Sequence, residues 1–154
     1  MIGGARTTPG AALLASVAAL RVGAGVLTAN QSEAARLLEE DADELGDPVK
    51  TAARVAERYG AVVSCHNGIA DANGGRWTVP TGHPGLGTSG SGDVLAGAVA
   101  GLLARGTKPA QAMCWATHLH GAAGDRLTAR VGRLGFLARE LLEEISLVLT
   151  ELQA

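Results

Sequence analysis

The chain has 154 residues, 47% hydrophobic and 18% charged, which fits one globular domain spanning residues 1–154 and excludes an intrinsically disordered protein. The formal net charge is −2, there is no basic block and only 3% of the residues are aromatic, which argues against nucleic-acid binding. The two cysteines, Cys65 and Cys114, form no CxxC pair, so we expect neither a zinc site nor a disulfide framework and place the protein in the reducing cytoplasm.

The first predicted element is a helix over residues 9–22, PGAALLASVAALRV, whose leucines and Val17 share one helical face. Pro9 lies near its start, where proline is tolerated, and Gly23 ends it. The apolar run is too short to span a bilayer, and a glycine-rich flank with one charge disfavours a signal peptide. We therefore interpret this segment as a buried helix and expect no membrane association.

Strand and helix patterns alternate over the next part of the chain. A short strand at 26–28 precedes Asn30-Gln31-Ser32-Glu33, which is a capping box opening a helix over 31–40. Asp47-Pro48 is an N-cap followed by proline at the first helical position, and this second helix runs to Tyr59. These signals predict two helices that follow a strand.

The second half of the chain continues the alternation. AVVSCH at 61–66 and GRWTVP at 75–80 are predicted strands, the second of them after the DANGG turn. Helices are predicted over three further ranges, 93–105, 109–130 and 136–152. Strands alternating with helices indicate an α/β fold.

A glycine-rich loop, HPGLGTSGSGD at 83–93, precedes the first of those helices. A loop of this kind exposes several backbone N–H groups, and the helix dipole adds partial positive charge, so an anion such as a phosphate fits there. The hydroxyl groups of Thr88, Ser89 and Ser91 are expected to add donors. The loop is not a Walker motif, since no Gly-Lys-Ser/Thr follows, and no strand leads directly into it as a dinucleotide-binding fold requires.

Asp93 stands in the first turn after this loop. A carboxylate is repelled by a phosphate, so it is not expected to be a phosphate ligand. It suits a general base that takes the proton from a hydroxyl attacking a phosphoryl group. The alternative that stays open is that Asp93 only caps the helix and that the glycines only form turns.

Three segments together resemble the ADP-dependent NAD(P)H-hydrate dehydratases of the ribokinase-like superfamily: PTGHPGLGTSGSGDVLAGAVAGLLARG at 80–106, LHGAAGD at 119–125 and LGFLARELLEEI at 134–145. Residues 3–28 are similar to that family's opening segment, and LTANQSEAARLL at 27–38 is similar to its LTPHPGEFARLL-type motif. The resemblance implies a ribokinase-like layered sheet with flanking helices, incomplete relative to the family.

The resemblance also implies an activity. Members of this family use ADP or ATP, which we expect to act with Mg²⁺, to phosphorylate the hydroxyl of hydrated NADH or NADPH. Elimination of phosphate then restores the dihydronicotinamide, so the enzyme is a hydro-lyase that repairs a damaged cofactor. The implied partners are therefore the hydrated nicotinamide nucleotide and an adenine nucleotide.

The same resemblance assigns roles to particular positions. Asp93 matches the acid–base aspartate, Asn30 stands in place of the family's substrate-binding histidine, and Ala11 matches a residue lining the same pocket. The nucleotide and its transferring phosphoryl group are expected to contact Gly68, Thr88, Gly90, Ser91 and Gly92.

The chain departs from the family pattern in its middle. GAGVLTANQSE at 23–33 joins two segments that the family separates by a long region containing several strands, and only Met1-Ile2 stand for the first strand. SCHNG at 64–68 lacks the lysine of the family's nucleotide strand. A parallel sheet shortened in this way is expected to have open edges and uncovered apolar helix faces, which predicts a homo-oligomer, a rearranged sheet or impaired catalysis.

Two further interpretations stay open beside dehydration. Glycine–aspartate loops of this type also serve small-molecule alcohol kinases of the same superfamily, and a shortened chain could be a non-catalytic nucleotide-binding remnant. A protein-bound metal is not predicted, because His118 and His120, near Asp125, are two residues apart and point to different helix faces.

Overall fold

The computed structural model describes residues 25–153 together with positions 18 and 23. The predicted helix 9–22 and the predicted site residue Ala11 lie outside the described residues, apart from Ala18, which is helical. Strands β1 to β4 span Val26–Ala29, Val62–Cys65, Gly68–Ala70 and Arg76–Thr78. Helices α1 to α5 span Gln31–Leu38, Pro48–Tyr59, Ser91–Ala104, Pro109–Val131 and Leu141–Glu151.

The strands form one sheet in the order β1-β2-β3-β4. β1 and β2 are parallel, whereas β3 is antiparallel to both of its neighbours. The expectation of a parallel sheet is therefore wrong beyond the first pair of described strands. The reason is local: His66 and Asn67 form a two-residue turn after β2, which can join only antiparallel strands.

Two helix starts follow the capping signals in the sequence. The Asn30 side chain accepts a hydrogen bond from the Glu33 N–H at 2.9 Å, and the Asn30 N–H donates to the Glu33 carboxylate, also at 2.9 Å. Asp47 Oδ1 accepts from the Lys50 N–H at 3.0 Å, and Gly60 ends α2 in the left-handed region at φ 65°. Both predicted caps are confirmed, and they fix the residues at which α1 and α2 begin.

Helices cover both faces of the sheet. α1 and α2 pack on one face through a core that includes Leu27, Val55 and Val63. The other face carries α3 and α4 through a second core with Ile69 and Met113. A third cluster, with Leu127, Phe136 and Leu141, joins α5 to α4. The α/β layered class is confirmed, and none of the helices in residues 25–153 has the length and apolar character needed to cross a membrane.

The ends of the later helices differ from the predicted ones. α3 begins at Ser91, two residues earlier than predicted, because Gly90 adopts φ 87° and serves as the N-cap. The predicted helix 136–152 is divided into a 3-10 turn at Ala138–Glu140 followed by α5. The earlier start of α3 makes Asp93 its third residue rather than its first.

Candidate active site

The carboxyl edge of the parallel strand pair gathers the candidate residues. β1 and β2 pair through Ala29 and Cys65 at their ends, so Asn30 follows at this edge. β3 begins here with Gly68, which pairs with Thr78, the last residue of β4. The chain therefore leaves β4 and enters the glycine-rich loop at the edge where α/β proteins usually bind ligands.

The loop that follows β4 lies on α4. The Thr81 hydroxyl donates to the carbonyl of His118 at 3.3 Å, and the Gly82 N–H donates to Asp125 Oδ2 at 3.1 Å. A Cβ added to Gly121 of α4 would lie 2.5 Å from Thr81 Oγ1 and 2.7 Å from its carbonyl oxygen. The absence of a side chain at Gly121 is thus what lets the loop approach the helix.

Gly121→Ala is expected to lower the free energy of unfolding by about 1–2 kcal/mol, because the overlap with Thr81 outweighs a gain in helix propensity of about 1 kcal/mol. Urea denaturation measures the change. Gly101→Ala in α3 is the matched control, since a Cβ there would have no neighbour within 4 Å, and it is expected to be neutral or stabilising. Equal effects of the two substitutions would contradict the close approach.

The first turn of α3 carries free backbone donors. The Ser91 N–H donates to the Thr88 carbonyl at 3.2 Å and the Asp93 N–H donates to the Gly90 carbonyl at 3.1 Å. Within residues 25–153, the N–H groups of Gly90 and Gly92 donate to no backbone carbonyl. A Cβ on Gly92 would meet nothing within 4 Å, so space is open beside its N–H. Two donors that have no partner among the described residues, at the positive end of a helix, form a site suited to an anion.

Asp93 is the third residue of α3 and is exposed. No side-chain hydrogen bond caps this helix, and the Asp93 carboxylate accepts no hydrogen bond from the part of the chain that the structure describes. A purely capping role for Asp93 therefore lacks the hydrogen bond that defines it. The carboxylate is free to accept a proton from a bound molecule.

The Ser91 side chain turns into the protein. Ser91 is only 3% exposed, and its Oγ lies 2.8 Å from Nε2 of His120. The structure thus pairs the Ser91 hydroxyl with His120, and a hydrogen bond from this hydroxyl to an anion stays a prediction. His120 is the residue that the sequence does not identify: its position predicts at most a core or solvent-facing histidine, and no sequence signal shows that it faces the start of α3.

The other predicted positions have different surroundings. Gly68 is buried, and a Cβ there would lie 2.5 Å from the backbone nitrogen of Val49, so this glycine packs against the start of α2. Asn30 is exposed at the sheet edge with its Oδ1 occupied by the cap, which leaves its side-chain N–H groups as donors. Thr88 is half-buried and its carbonyl accepts the N–H of Ser91.

Residues after α4 support the loop from its other side. The Gly85 N–H donates to Nδ1 of His83 at 3.2 Å, and Arg133 Nε lies 3.2 Å from His83 Nε2. A Cβ on Gly85 would lie 2.8 Å from the ring of Phe136. His83 therefore helps to hold the turn at the start of the glycine-rich loop.

The described residues hold no group of three or more His, Cys, Asp or Glu side chains that could bind a metal. His118 is half-buried with its ring edge-on to Trp115 at 6.2 Å, while His120 is buried and bonded to Ser91. The two histidines thus face different surroundings, as their spacing predicted.

The sequence model of the family described as NAD(P)H-hydrate dehydratase matches residues 24–147. An ADP-dependent (S)-NAD(P)H-hydrate dehydratase of Xanthomonas campestris pv. campestris is 39% identical over 131 residues, covering 82% of this chain and 45% of the relative. A bifunctional NAD(P)H-hydrate repair enzyme Nnr of Moorella thermoacetica is also 39% identical, over 132 residues, covering 83% of this chain and 25% of the relative.

Solved structures show the same relationship. The ADP/ATP-dependent NAD(P)H-hydrate dehydratase from Bacillus subtilis, co-crystallized with ATP/Mg²⁺, superposes with a TM-score of 0.76 at 28% identity, covering 82% of this chain and 47% of that one. A ribokinase-like superfamily protein from Enterococcus faecalis gives a TM-score of 0.61 at 27% identity, covering 79% and 42%. The chain thus spans less than half the length of these relatives. It belongs to the NAD(P)H-hydrate dehydratase family of the ribokinase-like superfamily, as its motifs predicted.

Proposed function

We propose that this chain catalyses, or contributes the catalytic half of, the ADP- or ATP-dependent dehydration of hydrated NADH or NADPH. One observation carries the proposal: the exposed Asp93 carboxylate lies in the same helical turn as the N–H groups of Gly90 and Gly92, and none of the three has a hydrogen-bond partner among residues 25–153. A proton acceptor next to anion donors is the arrangement that phosphoryl transfer to a hydroxyl needs. The names of the relatives supply the substrate class.

The residues divide the chemistry between them. Asp93 takes the proton from the substrate hydroxyl. At the same time the hydroxyl oxygen bonds to the terminal phosphorus of the nucleotide, and the phosphoanhydride bond breaks with the rest of the nucleotide as leaving group. The N–H groups of Gly90 and Gly92 hold the oxygens of the transferring group, where negative charge accumulates. The C–O bond of the phosphorylated intermediate then breaks with its electron pair leaving on phosphate, while the lone pair of the ring nitrogen forms an iminium. Loss of a proton from the neighbouring ring carbon then forms the C=C bond and restores the neutral dihydronicotinamide.

Substrate and nucleotide contacts beyond this turn are also part of the proposal. The Asn30 side-chain N–H groups and Ala11 would line the substrate pocket, while Thr88, Ser91 and Gly68 would lie along the nucleotide. Gly68 is the weakest of these assignments, because its missing side chain already serves packing against α2.

Magnesium would enter with the nucleotide. Since the described residues lack a cluster of metal ligands, the phosphate oxygens rather than the protein would hold most of the ion's coordination sphere. The Bacillus subtilis relative was co-crystallized with ATP/Mg²⁺, which supports this pairing. When bound, the ion would neutralise charge on the phosphates.

We further propose that the chain acts as one domain, in the cytoplasm, as a homo-oligomer. Both cysteines are free, which suits a reducing compartment. Large apolar side chains are exposed on and near α5, among them Leu134 at 79% and Leu142 at 57%. Exposed apolar surface of this kind favours association between copies.

Purified protein is expected to restore the absorbance of NADH from hydrated NADH when ADP or ATP and Mg²⁺ are added. Omission of the nucleotide is the control and is expected to stop the recovery. Recovery without nucleotide would contradict the proposal. No recovery from a folded protein that still binds ADP would identify a nucleotide-binding remnant, and consumption of ATP with a simple alcohol would identify a kinase.

A further inference from the structure

His120 of α4 makes two contacts with a single residue at the start of α3. Its Nε2 lies 2.8 Å from Ser91 Oγ and 3.1 Å from the Ser91 carbonyl oxygen. A carbonyl oxygen can only accept a hydrogen bond, so the tautomer with its proton on Nε2 is the one that satisfies both contacts. His120 is 8% exposed and Ser91 is 3% exposed, so water does not compete for this contact.

Burial favours the neutral form of the ring. Burial lowers the pKa of His120, and the hydrogen bond to the Ser91 carbonyl opposes that effect only in part. With its one ring proton on Nε2, the neutral imidazole has Nδ1 unprotonated. It is too buried to take part in proton transfer with a bound substrate, which leaves orientation as its contribution.

Ser91 is the residue between the two free donors. Its neighbours on either side are Gly90 and Gly92, whose N–H groups form the proposed anion site. Glycine backbone is the least restricted of any residue, so two glycines cannot fix the direction of their own N–H groups. A hydrogen bond from a neighbouring helix to Ser91 supplies the missing restraint.

The same stretch of α4 also holds the other end of the glycine-rich loop. Asp125 accepts the Gly82 N–H at 3.1 Å, five residues along the helix from His120. One helix therefore restrains the loop where it leaves the sheet and where it enters α3.

We propose that His120 is a positioning residue for the anion site, acting through Ser91 on the directions of the Gly90 and Gly92 N–H groups. The expected effect of His120 on nucleotide binding rests on the proposed function. Its effect on the backbone of the first turn of α3 does not. The two parts can therefore be tested separately.

The first test measures amide hydrogen exchange without any ligand. In His120→Leu, the N–H groups of Asp93 and Val94, which bond to Gly90 in this turn, are expected to exchange about tenfold faster. The Ala112 N–H, at the start of α4, is expected to keep its rate. His118→Leu is the matched control, since it removes an imidazole from the same helix whose side chain does not contact Ser91.

The second test measures the Kd for ADP by calorimetry. His120→Leu is expected to weaken binding about tenfold, the effect of one buried hydrogen bond, whereas His120→Gln keeps a donor near Nε2 and is expected to stay within about threefold. His118→Leu is expected to bind like the parent. If the parent itself fails to bind ADP, the proposed function fails while the exchange result still judges the role of His120.

Two results would overturn the proposal. One is unchanged exchange at Asp93 and Val94 in His120→Leu. The other is an equal acceleration at Ala112, which would show a general loss of stability rather than a local loss of orientation.

Discussion

Asp93→Asn is expected to reduce turnover of hydrated NADH by about 10²- to 10⁴-fold, the usual contribution of a general base. The amide keeps the shape of the side chain but cannot accept the hydroxyl proton at neutral pH. Because the carboxylate bonds to no other group in the described residues, the melting temperature and the Kd for ADP are expected to change little. Steady-state kinetics beside thermal denaturation measure both properties.

Asp43→Asn is the matched control for that experiment. Asp43 is also an exposed aspartate in the first turn of a short helical segment, Ala42–Glu44, and no role is proposed for it. It is expected to leave turnover unchanged. Retained turnover in Asp93→Asn would remove the general base from the mechanism. A drop in melting temperature large enough to account for the lost turnover would instead support the capping interpretation.

Gly68→Ala is expected to lower the free energy of unfolding by about 3 kcal/mol, at the upper end for overpacking a buried position. The new methyl group would lie 2.5 Å from the Val49 nitrogen and 2.6 Å from the Pro48 carbonyl carbon. These are backbone atoms of a capped helix start, so they cannot move aside as a flexible side chain can. Urea denaturation measures the loss.

Gly46→Ala serves as the control, because a Cβ there would have no neighbour within 4 Å and the residue is exposed. It is expected to change stability by a few tenths of a kcal/mol. The competing assignment of Gly68 to nucleotide binding makes a different forecast: stability would stay near that of the parent while the Kd for ADP rises. The pair of measurements separates packing from binding.

Local signals in the sequence were sufficient to predict α1 and α2, whose N-terminal caps are formed by residues close to them in sequence. Asn30 and Glu33 satisfy each other within four residues, and Asp47 with Pro48 starts α2 without help from distant parts of the chain. The glycine-rich loop and Asp93 were recognisable for the same reason, since free N–H groups and a nearby carboxylate belong to one short segment.

Features that depend on tertiary contacts could not be predicted in this way. β3 has only three residues, and the turn before it places His66 at φ 52°. Glycine or asparagine is the usual sequence signal for such a turn, and neither stands at this position. The inward direction of Ser91 depends on His120, which is 29 residues away in sequence. Periodicity shows which face of a helix is apolar, but it does not show which polar side chains of two packed helices will contact each other.

Anchoring both ends of the glycine-rich loop to α4 has a consequence for the thermodynamics of binding. Ordering a residue costs about 1–2 kcal/mol of backbone entropy, and here the cost falls on folding rather than on association. The Gly90 and Gly92 N–H groups are already directed before a phosphate arrives, so binding needs little further ordering of the chain. A nucleotide would then bind this turn with a small entropic penalty and without a slow closing step.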